Sequence, residues 1–137
     1  MLIQRIKPCE GGRTSHVSRM KIYLAELEDK PNSSVQSGTR PVLILQNNIG
    51  NRNSPTVIVA PITSKLEKPH LPTHVVLSQS KLPKQSMVLL EQVMTIDQSL
   101  LMKEYGEISE QDIKSVERAL KVSFGLLHSR KKERRNI

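Results

Sequence analysis

The chain is 137 residues long, 36% hydrophobic but only 2% aromatic, and carries a formal charge of +8. That length suits one domain of ~100–150 residues. With Tyr23, Tyr105 and Phe124 as its only aromatic residues, its core must be built from Leu, Ile and Val. No run approaches the ~18 apolar residues of a membrane span, and no signal-peptide stretch opens the chain. Those features lead to the expectation of a cytoplasmic protein without a membrane partner. Cys9 is the single cysteine, so no internal disulfide forms.

The charge is unevenly placed. Residues 1–20 hold Arg5, Lys7, Arg13 and Arg19 against Glu10, a net +3. Residues 129–137 hold Arg130, Lys131, Lys132, Arg134 and Arg135 against Glu133, a net +4, which leaves +1 for residues 21–128. Basic tails attract nucleic acid or acidic partners through counterion release, and they serve equally as solvated ends.

In chain order, residues 1–18 are polar and aperiodic, with Gly11-Gly12, and read as a flexible N-terminal extension. Lys21–Leu27 predicts the first strand. Asp29–Thr39, rich in Ser, Asn, Pro and Gly, predicts a long loop of the kind that is often functional. Pro41–Gln46 predicts a buried strand with proline at its first position, where a missing donor is tolerated. Asn47–Ser54 carries turn signals, Pro55–Ile62 predicts another buried strand, and Thr73–Leu77 and Ser86–Gln92 predict two short ones. The only predicted helix starts at Ser109, a capping residue followed by Glu110 and Asp112 in the first turn. Ile113, Val116, Leu120, Phe124 and Leu127 recur at helical spacing and predict a stripe buried against the sheet. Four or five short strands and one terminal helix predict a mainly β fold: a small, curled antiparallel barrel with a C-terminal α-helix. The domain is expected over 19–128, with 129–137 as a basic C-terminal tail.

Candidate chemistry is sparse. His16, His70, His74 and His128 show no zinc-ligand spacing, and His74 reads as a surface residue of a strand. Glu91 and Asp97 lie on or near one strand with nothing pairing them as a metal or acid–base site. No Gly-rich loop precedes a helix, and the nucleophile-elbow pattern is absent, although a serine hydrolase can be assembled in any residue order. What stands out is Ser34, Gln36 and Arg40 at the mouth of one strand, with Thr63 at the end of the next. An arginine fork and a hydroxyl so placed can converge on one phosphate. The same residues also suit loop capping beside a surface arginine.

The segment Gln36-Ser37-Gly38-Thr39-Arg40-Pro41-Val42-Leu43-Ile44-Leu45-Gln46-Asn47 resembles the MazF/PemK toxin signature, whose loop runs G-S-E-Q-x-G-x-R-P-V-L-V. Four further blocks resemble that family in register: Asn51–Thr56, Val59–Ser64, Leu71–Val75 and Leu90–Asp97. Together they cover roughly residues 19–127, and the likeness is to the Gram-positive type. The resemblance implies an SH3-like barrel and a homodimer. It also implies a metal-independent, cofactor-free, sequence-specific endoribonuclease of a toxin–antitoxin system, acting on single-stranded mRNA and silenced by an acidic MazE-like antitoxin. DNA is expected only through an antitoxin complex. By position it assigns Arg40, Thr63 and Ser34 to catalysis, and Gln36, Ser37, Ser64 and Gln92 to RNA binding. Two positions depart from the family pattern: the loop glutamate is Val35, and the arginine of the E-Q-I-R-T-I-D block is Met94. These departures motivate a rival reading, an attenuated relative that binds RNA or antitoxin without cutting. A CcdB-like gyrase poison on the same barrel is another, which an intact Arg40–Thr63 pair opposes.

Overall fold

A computed structural model describes residues 17–29, 31–66 and 71–128. Most of the expected N-terminal extension, Cys9, His16, His70 and the basic 129–137 tail lie outside the described residues. Seven strands form one antiparallel sheet: β1 (Lys21–Leu27), β2 (Gly38–Ile44), β3 (Thr56–Thr63), β4 (His74–Val76), β5 (Met87–Leu89), β6 (Met94–Asp97) and β7 (Leu101–Glu107). Two helices, α1 (Asn48–Asn53) and α2 (Glu110–Ser123), complete the described fold.

The strand order is β4-β5-β3-β2-β1-β7, with β6 also paired to β3. Thus β6 and β7 lie at opposite ends of the series β6-β3-β2-β1-β7, yet only the 3-10 turn Gln98–Leu100 joins them. In a flat sheet four inter-strand gaps of ~4.8 Å would separate them by ~19 Å. The four Cα steps from Asp97 to Leu101 span at most ~14 Å. The sheet must curl until its ends approach, which makes it barrel-like, as the sequence led one to expect. Strand alternation then gives two cores. Ile22, Leu43, Ala60 and Ile62 pack on one face with Val116 and Ala119 of α2, while Tyr23, Ala25, Val42, Val59 and Leu101 fill the other.

Ser109 caps α2 as expected, its hydroxyl accepting from the Asp112 N–H at 3.1 Å. The buried stripe is shorter than the spacing predicts. Val116 is fully buried and Ile113 and Leu120 pack against the core, but Phe124 is 57% exposed. The helix ends at Ser123 in a Schellman turn. Gly125 takes φ 77°, its N–H bonds the Val122 carbonyl at 3.1 Å, and the Leu126 N–H bonds the Lys121 carbonyl at 2.8 Å. The chain leaves the helical track before Phe124 can reach the sheet.

Other boundaries also differ. The expected turn over Asn47–Ser54 is the short helix α1, capped by Asn47, whose side chain accepts from the Gly50 N–H at 2.8 Å. Buried Asn51 and Gln98 tie α1 to the sheet: Gln98 Nε2 donates to the carbonyls of Asn51 (3.0 Å) and Ser54 (2.9 Å). β2 starts at Gly38, so Pro41 lies inside the strand; pairing to β3 begins only at Val42, which leaves proline on an open stretch of that edge.

Tyr23 is almost wholly buried in the second core. Burial, reinforced by the Glu104 carboxylate, pushes its hydroxyl up from 10.0 to about 12. A raised pKa means that the folded state favours the neutral phenol. Its contribution to stability is therefore complete below pH 10 and is lost as pH rises towards 12. Alkaline unfolding monitored by circular dichroism should show a stability loss over that interval, and Tyr23→Phe should flatten it while costing about 1 kcal/mol at pH 7.

Candidate active site

β2 and β3 pair with Val42 opposite Pro61, Leu43 opposite Ala60 and Ile44 opposite Val59. Two residues beyond the last pair, the same register sets Arg40 across from Thr63. Here the β2–β3 ladder has ended: Arg40 stays paired with Ala25 of β1, while Ile62 and Thr63 pair with Val88 and Met87 of β5 on the far side of β3. The two expected catalytic side chains therefore sit on the two prongs of a fork in the sheet. Alternation puts Arg40 on the same face of β2 as Val42, above the second core.

Each side chain is held by one bond that leaves its working groups available. Arg40 is partly buried, and its Nε donates to the Ser37 carbonyl at 2.7 Å. Among the described residues its terminal nitrogens have no partner, so the two-pronged edge that matches phosphate oxygens is unoccupied. Thr63 is buried, with 6% exposure, and its Oγ1 accepts from the Lys65 N–H at 3.1 Å. A hydroxyl that accepts one bond still has its own proton to donate. At Gly38 the backbone takes φ 78°, a left-handed conformation suited to glycine, as the loop turns into β2 just after Ser37.

The remaining expected residues divide. Ser34 is exposed and is held through its backbone carbonyl by Gln92; the neighbouring Ser33 hydroxyl accepts from the Val35 N–H at 3.1 Å. Gln36 is half-buried, and among the described residues its buried Oε1 has no hydrogen-bond partner. Ser37 supplies the carbonyl that holds Arg40, and Ser64 is exposed next to Thr63. Gln92 lies on the opposite side of the loop, its Oε1 accepting from the Gln36 N–H at 2.9 Å and its Nε2 donating to the Ser34 carbonyl at 3.3 Å. It is there because the strand expected over Ser86–Gln92 stops at Leu89, and the chain then turns.

Sequence reasoning missed the braces behind that turn. His74 opens β4 as a partly buried residue rather than an idle surface one. Its side chain is 9% exposed, and its Nε2 lies 2.9 Å from Glu91 Oε2. The Thr73 hydroxyl donates to Glu91 Oε1 at 2.9 Å. No periodic signal joins residues 17 and 18 positions apart, at the start of β4 and in the turn after β5. The two departures from the resembled pattern are accommodated simply: Val35 is exposed on the loop, and Met94 packs against the second core. Among the described residues no three His, Cys, Asp or Glu side chains gather where a metal could sit. No helix there is long and apolar enough to cross a membrane.

Comparison with known proteins identifies the family and the fold. Residues 18–124 match the family described as PemK-like, MazF-like toxin of type II toxin–antitoxin system. The chain is 44% identical over 110 residues to the endoribonuclease MazF of Staphylococcus saprophyticus, covering 79% of this chain and 91% of the relative. Among solved structures, the Mycobacterium tuberculosis toxin MazF-mt6 superposes with a TM-score of 0.65 at 27% identity, covering 78% of this chain and 98% of that one. A mycobacterial endoribonuclease in complex with its cognate antitoxin has the same fold, with a TM-score of 0.67 at 24% identity and coverage of 82% and 99%. A match over most of the chain, and a relative of this identity, show that the chain belongs to the PemK/MazF family of toxins of type II toxin–antitoxin systems.

Proposed function

We propose that this toxin-family endoribonuclease cuts single-stranded RNA by attack of the ribose 2′-hydroxyl on the adjacent phosphorus. The O2′–P bond forms as the P–O5′ bond breaks, the 2′-hydroxyl loses its proton to solvent and the leaving 5′-oxygen takes one up, so the products are a 2′,3′-cyclic phosphate and a 5′-hydroxyl end. The observation that carries this reading is the β2–β3 register, which, continued two residues past Val42 and Pro61, sets Arg40 opposite Thr63, each with hydrogen-bond donors to spare. The nucleophile belongs to the substrate, so the step needs neither a protein nucleophile nor a metal. Charge gathers on the non-bridging phosphate oxygens in the transition state, and fixed donors aimed there are usually the largest catalytic term. Arg40 is the charge stabiliser, because a guanidinium offers only donors and a fixed positive charge and cannot serve as a base. Thr63 adds a second donor, and Ser34, Gln36, Ser37 and Ser64 line the path of the strand. With so few aromatic residues, bases are read mainly by hydrogen bonds from the loops.

The working unit is a symmetric homodimer in the cytoplasm, the commonest soluble assembly. An acidic antitoxin segment competes with RNA for the groove beside the loop Asn32–Thr39; one of the structural relatives is itself held by its cognate antitoxin. Incubation of a long RNA with the protein in EDTA, followed by mapping of the cut ends, tests the reading. Cleavage at one short motif with 5′-hydroxyl ends is expected. A requirement for Mg²⁺, or 5′-phosphate ends, contradicts it.

The domain over 19–128 does the cutting, and the flanking residues 1–18 and 129–137 act as electrostatic arms. Every phosphate that a cation ceases to neutralise lowers the salt slope of binding by about 0.7 for single strands. Replacing Arg130, Lys131, Lys132, Arg134 and Arg135 by Gln should therefore weaken RNA binding and make its salt dependence shallower, with the cleavage motif unchanged. Filter-binding titrations across a salt series measure this. An unchanged slope means that the tail neutralises no phosphate.

A further inference from the structure

We infer that Gln92 is a positioning residue, whose carboxamide fixes the loop that holds the Arg40 guanidinium in its working orientation. The resemblance places Gln92 among the RNA-binding residues, but the geometry gives its side chain another task. Its oxygen is taken by the Gln36 N–H at 2.9 Å, and its nitrogen donates to the Ser34 carbonyl at 3.3 Å. One planar amide thus bridges alternate residues of the loop, much as a neighbouring strand would. The next residue, Ser37, gives its carbonyl to Arg40 Nε at 2.7 Å. Without a fixed Ser37 carbonyl, a long arginine side chain has no single rotamer to prefer, and its two-pronged edge loses its aim.

The turn behind Gln92 is itself anchored. The Leu90 N–H donates to the Thr73 carbonyl at 2.9 Å, and the Gln92 N–H to the Leu89 carbonyl at 3.1 Å. Glu91 accepts from the Thr73 hydroxyl and pairs with His74 Nε2, both at 2.9 Å. His74 Nδ1 accepts from the Leu71 N–H at 3.2 Å, which leaves the ring proton on Nε2 to donate to Glu91. The path of support therefore runs from β4 through the Glu91 turn to Gln92, then through the loop to Arg40. Its effect on cleavage rests on the function proposed above; the positioning itself does not.

Two arms test this. In RNA-free protein, hydrogen exchange of the Arg40 Nε–H, followed by ¹H–¹⁵N NMR, should be about tenfold faster in Gln92→Ala than in the unaltered chain, the effect of losing about one net hydrogen bond. Gln92→Glu retains the acceptor for the Gln36 N–H and should exchange at an intermediate rate. With RNA, Gln92→Ala should lower kcat about tenfold, keep KM within about twofold and leave the cleavage motif unchanged. Unaltered Arg40 exchange in Gln92→Ala overturns the assignment. So does a raised KM with unchanged kcat, or a shifted motif, since either marks direct binding of RNA by Gln92. If the unaltered chain cuts no RNA, the proposed function fails, and the exchange arm still decides whether Gln92 positions Arg40.

Discussion

Arg40→Ala should abolish RNA cleavage, and Thr63→Ala should slow it by about 100-fold or more. Removing one donor aimed at developing charge costs ~3–4 kcal/mol of transition-state stabilisation, and Arg40 supplies a charge as well as donors. Arg40→Lys should fail almost as completely. An ammonium keeps the charge, but it loses the planar fork and has no Nε to bond the Ser37 carbonyl. Thr63→Ser should recover much of the rate because the hydroxyl remains, whereas Thr63→Val, of similar shape, should not. Single-turnover rates at saturating RNA separate these effects from binding. Because Arg40 lies at the mouth of the fork and is only partly buried, its variants should keep the native thermal midpoint within a few degrees. Substantial cleavage by Arg40→Ala would remove the fork from the mechanism.

Ile62→Ala should be the most damaging single truncation near the site, costing ~2–5 kcal/mol. Ile62 has no exposed surface and packs in the core under α2. It also sits just past the end of the β2–β3 ladder, where β3 pairs with β5, immediately before Thr63. A cavity there loosens both the sheet and the prong that carries the hydroxyl. Urea unfolding should show a lower midpoint with an unchanged m-value, and kcat should fall even in the folded fraction. Truncating Leu126 tests the contrast. It is 74% exposed, and Leu126→Ala should change stability by no more than about 0.5 kcal/mol.

Much of the fold was legible because the central strands are simple. Lys21–Leu27 and the apolar run of β3 carry their own β-branched and alternating patterns, and Ser109 announces its helix by local capping chemistry. The unread elements depend on distant partners. β6 has two of its four residues exposed and is held by pairing with β3, and β7 follows β1 with register shifts that blur its alternation. Four of the six residues of helix α1 are Asn or Gly, which favour turns; it persists through the Asn47 cap and a glutamine 47 positions away in sequence from Asn51. The barrel's curl follows from the shortness of the β6–β7 link, which no local pattern contains.

The site divides along the same line. Arg40 and Thr63 could be proposed from the sequence because each stands beside an apolar strand run, near the start of β2 and at the end of β3, where polar side chains are conspicuous. The part played by Gln92 could not, since it acts on backbone atoms 56 and 58 residues earlier in the chain. His74 and Glu91 are legible only once β4 and the Glu91 turn are side by side.

The most direct measurement of the central claim uses one RNA in two forms, identical except that the nucleotide 5′ to the mapped scissile phosphate carries a 2′-hydrogen in place of its hydroxyl. With the substrate as its own nucleophile, the deoxy form should bind with nearly the affinity of its parent and not be cut at all, because the attacking group is gone. Cleavage of the deoxy form at the same phosphate would contradict this mechanism, since a nucleophile from water or from the protein would then be required.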